Sequence, residues 1–411
     1  MRLAYYADDF TGATDVLERY TLAGVSAAVF LSPPEPAELA AYPGLECVGI
    51  AGSGRIVGIQ ELEREWLAAL SALTGLGAAL VQYKVCSTFD SSARVGNIGH
   101  ALAVGSRALA QDVVPVLGGC PHLGRYCCFG NLFATYGLDG RTYRLDRHPS
   151  MSRHPTTPAR EADLVRMLAS QTSLPVRSLP LPQLEDLDAT LATAEPGLLV
   201  VDALTDEHVG AFGRSVLGRA QTPYLVAGPS SVAVGVAGLL GRTPLPASTV
   251  DPEPATVVLS GSRSPVTAEQ LSHAESAGFA VFRTSATGQA VRALRDGVPV
   301  IVRAPNDQGH GSGARIRRAL AAAARRIHRD GFARRFVVCG GDTSTSVARA
   351  LGVRSVSMLA RLADAVPLCT ARLDDGSTIE IAFKGGQMGA PDLLVDAAGS
   401  ATPAAARSCP G

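Results

Sequence analysis

The stretch ADDFTGATD places Asp8 and Asp9 side by side, directly after a short apolar and aromatic run. Adjacent carboxylates repel, so the pair needs a reason. One Asp at a strand end can cap the following helix by accepting backbone N–H bonds. Capping needs only one. Two together suit a polar ligand's hydroxyls, a metal ion or general-base work. If the helix starts near Thr11-Gly12, its dipole favours an ionised Asp9. Asp9 is then the expected base, and Asp8 the residue that holds hydroxyls. A second stretch, VQYKVCSTFDSSARVGNIG, gathers Lys84, Ser87, Thr88 and Arg94 between a strand-like and a helix-like run. An ammonium, a guanidinium and hydroxyls together can hold an anionic, hydroxyl-rich small molecule. The alternative is a polar loop of side-chain turns.

Two further strand-to-helix loops suit phosphate. In VVLSGSRSPVTAEQ, Ser262 and Ser264 precede Pro265, with Ser264 as the expected N-cap. In FVVCGGDTSTS, Gly340 and Gly341 let the backbone approach a ligand, and Asp342 and Thr343 open a helix. Exposed amides at a helix start bind phosphate, and the Asp342 carboxylate could serve Mg²⁺. A segment over 141–160 is dense in donors: Arg144, Arg147, His148, Arg153 and His154. It is read as an ordered loop that holds a substrate carboxylate, with Arg147 and Arg153 as the test residues. Asp146, His148 and His154 as metal ligands, and Cys120, His122, Cys127 and Cys128 as a zinc set, are weaker readings. The chain has no GxxxxGK[ST] phosphate loop. GSGRIVG misses the dinucleotide spacing. DDFT places its carboxylates adjacent, whereas aspartyl-phosphate phosphatases need them two apart. No GxSxG elbow is present.

The 411 residues favour two domains. Lys plus Arg and Asp plus Glu are both 37, so the formal charge is zero and no nucleic-acid or membrane surface is indicated. No apolar run nears the roughly 20 residues that span a bilayer, and the chain opens directly on strand-like sequence. A cytoplasmic protein is expected. The eight cysteines form no CxxC pair and read as small buried hydrophobes. Only two of the 37 basic residues are lysines, Lys84 and Lys384. A compact ammonium reaches anions where a planar guanidinium does not fit.

Strand-like and helix-like runs alternate almost throughout, the rhythm of an α/β fold with a largely parallel sheet. RLAYYA, VSAAVFL, AALVQYKV, VVPVLGG, GLLVVDAL and YLVAGP are strand-like, and IQELEREWLAALSAL is a helix. A proline-rich stretch reads as a linker. The expected division is a first domain over 1–241, a linker over 242–255, a second α/β domain over 256–398 and a frayed tail over 399–411.

The whole set of motifs resembles the four-carbon acid sugar kinases. That family carries A-D-D-[LF]-T-G-A, here ADDFTGA, and S-G-S-x-S-x-x-T-x-x-Q, here SGSRSPVTAEQ. It also carries G-G-[DE]-T-S, here GGDTS, and a run like K-S-G-N-F-G, here KGGQMG. The resemblance implies two α/β domains with the active site in the cleft between them. It puts Asp8, Asp9, Lys84, Ser87, Thr88 and Arg94 on the sugar side. Ser262, Ser264, the stretch from Gly340 to Thr343, Lys384 and Gly386 fall on the ATP side. It implies ATP and Mg²⁺, transfer to a hydroxyl of a small sugar acid, and allows a homodimer. One motif departs: K-x-D-S-T-L-R-G-N is here KVCSTFDSSARVGN, with Cys86 for the aspartate and extra residues before Arg94. A non-catalytic sugar-acid sensor is the rival; the two nucleotide loops disfavour it.

Overall fold

A computed structural model describes residues 2–137, 140–153, 158–244, 250–253, 255–304 and 312–399, without the side chains of Arg2, Ser312 and Asp342. His154 and the tail from 400 onward lie outside the described residues. The chain divides into two units, Met1–Pro246 and Ala247–Gly411.

The strands of the first unit are β1 Arg2–Ala7, β2 Ala27–Phe30, β3 Cys47–Ala51, β4 Ala78–Lys84, β5 Val113–Leu117, β6 Arg125–Cys128, β7 Asn131–Thr135, β8 Thr142–Arg144, β9 Val176–Leu179, β10 Gly197–Val201 and β11 Tyr224–Gly228. Its helices are α1 Phe10–Leu22, α2 Pro36–Ala40, α3 Ile59–Gly75, α4 Ile98–Ala108, α5 Leu164–Ala169, α6 Leu187–Thr193, α7 Asp206–Arg219 and α8 Ser231–Ala237. Eight strands form one sheet in the order β2-β3-β1-β4-β11-β5-β10-β9. Every pairing among them is parallel. Such strands are covered on both faces, which explains near-continuous apolar runs such as GLLVV. Helices α1, α7 and α8 pack together, and α3, α4 and α5 pack together.

Period-two alternation sends Tyr5 and Tyr6 to opposite faces of β1. The Tyr5 hydroxyl donates to Ala13 O of α1 at 2.9 Å. The Tyr6 ring packs 5.3 Å from Trp66 of α3 and 5.4 Å from Tyr83 of β4. One strand thus anchors a helix on each side. From β1 the chain runs outward to β2 and back to β3, then crosses to β4 on the other side. Right-handed crossovers in the two directions leave a crevice beyond the carboxyl ends of β1 and β4, where ligands of such sheets bind.

Between β5 and α5 lies a small antiparallel sheet, β6-β7-β8. It holds the start of the segment read as a loop over 141–160. Strands this short leave little periodicity to read. His148 is buried there, its ring 5.3 Å from Tyr136 and 6.0 Å from Tyr143.

The second unit adds β12 Thr256–Ser260, α9 Pro265–Ser276, β13 Ala280–Arg283, α10 Thr287–Arg295, β14 Val300–Arg303, α11 Ser312–Arg329, β15 Arg335–Cys339, α12 Gly341–Ala350, β16 Val353–Ala363, β17 Val366–Leu373, β18 Thr378–Lys384 and α13 Leu393–Ala398. Its strands run β13-β14-β12-β15-β18-β17-β16. The first five are parallel, and β18-β17-β16 are antiparallel. These last three strands follow one another without an intervening helix, outside the strand–helix alternation read from the sequence. Their turns are marked by Ala365 and Gly376, both at positive φ. Among the described residues no helix is long and apolar enough to cross a membrane.

Arg335 opens β15 fully buried. Its Nε lies 2.6 Å from Glu380 Oε2, and its Nη1 donates to Asp251 O at 2.9 Å and Ala397 O at 2.8 Å. It ties the strand to both ends of its unit. Arg335→Met should cost the second unit about 3 kcal/mol, read from its urea transition; an unchanged midpoint would contradict this.

Candidate active site

Asp8 and Asp9 follow β1 at the crevice, and both are buried. Asp9 is the N-cap of α1, in extended conformation. Its Oδ1 accepts from Gly12 N at 2.8 Å, and the Thr11 hydroxyl donates to its Oδ2. Arg55 Nη2 lies 3.0 Å from Asp9 Oδ1 and 3.4 Å from Asp8 Oδ1. A single guanidinium therefore serves both carboxylates. Asp8 has no other side-chain hydrogen bond among the described residues.

The two carboxyls diverge in consequence. Burial raises Asp8 to about 6; Arg55 opposes the rise and the Asp9 charge adds to it. Burial pushes on Asp9 as well, but Arg55, Lys84, the Thr11 hydroxyl and the Gly12 amide outweigh it and hold it below the usual carboxylate range. Lys84, the last residue of β4, donates from Nζ to Val85 O at 2.8 Å and lies 4.0 Å from Asp15 Oδ2. A Cβ on Gly12 would stand 2.6 Å from Asp9 Oδ1 and 2.9 Å from Lys84 Nζ. Only glycine leaves room for anion and cation to flank the helix start this closely.

Thr88 joins this cluster and Ser87 is half-buried beside it. The Thr88 hydroxyl donates to Asp90 Oδ1 at 2.9 Å and lies 3.1 Å from Cys86 Sγ. Burial pushes the Cys86 thiol up to about 11, so it is neutral. Arg94 is exposed, beside Gly58 and Glu61 on the surface. Arg147 and Arg153 are exposed too, and Arg147 Nε lies 3.9 Å from Asp146 Oδ2. The Asp146 carboxylate takes both Arg144 Nε and Nη2, at 2.7 and 2.6 Å. His148 Nδ1 accepts from Ser150 N and Met151 N, each at 3.2 Å.

Sequence reasoning missed Arg55, Asp15 and Asp90, and placed His122 only in a weak zinc set. Arg55 sits in GSGRIVG, a stretch read only as a failed fingerprint. His122 stands 3.3 Å from Ser230 Oγ and 3.6 Å from Cys120 Sγ. Burial pushes its imidazole down to about 4, against the pull of the Asp15 charge. Cys127 belongs elsewhere: its thiol donates to Asp202 Oδ1 at 3.2 Å. Among the described residues no group of His, Cys, Asp and Glu is arranged to hold a metal ion.

In the second unit three strand ends meet. The β12–α9 loop carries Ser262 and Ser264; Ser262 Oγ accepts from Ser264 N at 3.2 Å. Ser264 Oγ is buried without a hydrogen-bond partner among the described residues. Gly340 has φ +113 and leads into α12, whose first-turn amides lack carbonyl partners by construction. Gly341, Asp342 and buried Thr343 form that turn; the Asp342 side chain is outside the described residues. Lys384 ends β18. Its Nζ donates to Thr267 Oγ1 at 3.0 Å and to Gly385 O at 2.9 Å, and reaches Gly386 O at 3.5 Å. Burial lowers its pKa. Gln270 Nε2 reaches the carbonyls of Met388, Gly389 and Ala390 at 2.9 to 3.0 Å. Lys384 and Gln270 pin the glycine loop to α9, where Gly386 faces Ser262 and Ser264.

A parallel α/β unit with buried carboxylates beyond its strand ends, followed by one with glycine and serine loops at two helix starts, has the make-up of a small-molecule kinase. The comparisons give the particular family. A family model described as a sugar-binding N-terminal domain matches residues 3–236, and one described as a nucleotide-binding C-terminal domain matches 257–394. A 3-oxo-isoapionate kinase of Paraburkholderia graminis is 38% identical, covering 94% of this chain and 92% of the relative. A 3-oxo-tetronate kinase of Pseudomonas fluorescens is 33% identical, covering 97% and 96%. A Haemophilus influenzae protein of the DUF1537 family shares the fold, with TM-score 0.71 at 23% identity over 97% of this chain and all of that one. The chain belongs to the four-carbon acid sugar kinase family.

An ionised Asp8 is costly in this site. Its folded pKa of about 6 lies above the ordinary 3.8, so the folded state binds the extra proton between those values and loses stability as pH rises through them. Asp8→Asn should therefore raise the melting temperature at pH 8, and the gain should shrink toward pH 5. A gain independent of pH, or a loss at pH 8, would contradict the assigned pKa.

Proposed function

We propose that the protein transfers the γ-phosphoryl group of ATP to a hydroxyl of a small sugar acid, four-carbon or branched, such as a 3-oxo-tetronate, a tetronate or 3-oxo-isoapionate. The observation that carries this reading is the pair Asp8 and Asp9 on one guanidinium, one carboxyl near 6 and the other held low. A general base works best with a pKa near the operating pH and an open acceptor. Asp8 meets both conditions, and Asp9 has its oxygens engaged by Gly12, Thr11 and Arg55. We therefore assign the base to Asp8, exchanging the roles expected from sequence. Asp9 caps the helix and anchors Arg55.

In the reaction, Asp8 takes the proton of the attacking hydroxyl. The new O–P bond forms as the bond from the γ-phosphorus to the bridging oxygen breaks, and ADP leaves. Little covalent chemistry falls to the protein; positioning and charge neutralisation dominate. Ser262, Ser264 and the amides from Gly340 to Thr343 would seat the phosphates, with Lys384 and Gly386 shaping the loop beside them. Mg²⁺ takes most of its ligands from phosphate oxygens and water, so one or two protein carboxylates suffice. That matches a unit with no acidic cluster among its described residues, and Asp342 at the start of α12 would be the ligand.

An ADP-release screen over tetronates, 3-oxo-tetronates and 3-oxo-isoapionate should find a substrate, with a sugar phosphate as product; no ADP release above background with any of them would refute the reading. Asp8→Asn should lower kcat by about 10²- to 10⁴-fold while the acid still binds in calorimetry. In the wild type, kcat/KM should fall tenfold per unit below pH 6, because the base is lost to protonation. A flat acid limb, or a larger kcat loss in Asp9→Asn, would move the base elsewhere. Gly386→Ala would bring a Cβ within 3.0 Å of Ser262 Oγ; it should raise the KM for ATP and leave that for the acid nearly unchanged.

A further inference from the structure

The loop from Cys86 to Asn97 contains a carboxylate that neither the motifs nor the proposed chemistry use. Asp90 is buried. Its Oδ1 accepts from Thr88 Oγ1 at 2.9 Å, and its Oδ2 has no partner among the described residues. Its charge acts on Asp8, Arg55 and Cys86, so it belongs to the same electrostatic neighbourhood. The residue before it, Phe89, is buried with φ +52, a left-handed conformation that a bulky residue rarely adopts. Such strain persists only where the surroundings impose it.

Those surroundings are visible. Ser91 Oγ donates to Phe89 O at 2.9 Å, Gln171 Nε2 donates to Ser91 Oγ at 2.8 Å, and Gln171 Oε1 accepts from Gly99 N at 3.1 Å. Further on, Gly96 N donates to Val57 O at 3.2 Å, and a Cβ on Gly96 would stand 2.6 Å from Arg55 O. The loop that carries Asp90 is thus laced to the loop that carries Arg55. The carboxylate is held in place before any ligand arrives.

Charge decides what can bind there. Asp8, Asp9 and Asp90 stand against Arg55 and Lys84, and Cys86 is neutral. An excess of negative charge repels a substrate's own carboxylate and attracts hydroxyl donors. We propose that Asp90 is a specificity-determining residue: its carboxylate accepts a hydrogen bond from a hydroxyl of the sugar acid other than the one phosphorylated. The inference rests on the sugar-acid kinase reading. It gives the departure at KVCSTFD a physical meaning. A carboxylate absent at position 86 is present four residues later, at Asp90, directly after the left-handed Phe89.

The test crosses enzyme and substrate. The best acid from the ADP-release screen is compared with its analogues that each lack one hydroxyl, using wild type, Asp90→Ala and Asp90→Asn. Asp90→Ala should lower kcat/KM for the full acid roughly 10- to 100-fold, with the KM for ATP within twofold. For the analogue lacking the recognised hydroxyl, wild type and variant should be equal. Asp90→Asn keeps an acceptor for Thr88 and serves if the alanine variant fails to fold; it should show the same pattern in smaller measure. Equal losses on every acid, or no loss on any, would overturn the inference while leaving the kinase reading standing. A wild type that releases no ADP with any acid would overturn the reading itself, and the inference with it.

Discussion

Everything in the first unit's site depends on one guanidinium. Two carboxylates adjacent in sequence and both buried cannot remain ionised without a cation between them. Arg55 provides it at 3.0 and 3.4 Å. It does not serve them equally. Asp9 adds the Gly12 amide and the Thr11 hydroxyl, so its charge is well supported. Asp8 is left with burial and a shared partner. The asymmetry turns two identical side chains into a fixed anchor and a group poised to exchange a proton.

The fold places this cluster because of where the chain reverses direction across the sheet. β1 is central, and β4 and β3 flank it. Its carboxyl end meets that of β4, which delivers Lys84, and the loop after β3 delivers Arg55. Tyr5 and Tyr6 fix a helix to each face, so the start of α1 is set relative to both neighbouring strands. The Cys86–Asn97 loop completes the wall by packing on the Arg55 backbone. The carboxylates, the cations and the loop are positioned by one packed core.

Part of this was legible in the sequence. Asp8 and Asp9 stand out because adjacent carboxylates at a strand end are costly, and Lys84 because lysine is almost absent from the chain. The parallel architecture was legible from apolar runs too continuous for a one-sided sheet. Arg55 was not, because it is one of many arginines and reaches Asp8 only through the pairing of β3 with β1. Asp90 was hidden for a similar reason: its role depends on the left-handed Phe89 before it, and no local pattern announces that conformation. In the second unit the loops around Ser262 and Gly340 were readable from glycine and serine at strand ends. Lys384 stood out as a rare residue, but its three oxygen contacts, which make it a brace for the glycine loop, needed the fold. The antiparallel run over β16, β17 and β18 was not legible from the strand–helix alternation because no helix separates its strands.

The asymmetry of the pair rests on the proton affinity of Asp8 in the resting protein, which can be measured directly. Protein labelled with ¹³C at the aspartate carboxyl carbon, titrated by NMR against Asp8→Asn as reference, isolates the Asp8 signal. One resonance should titrate near pH 6, be absent from Asp8→Asn and shift to higher pH in Arg55→Met. A signal that titrates with the ordinary aspartates near pH 4, or one indifferent to Arg55, would contradict it.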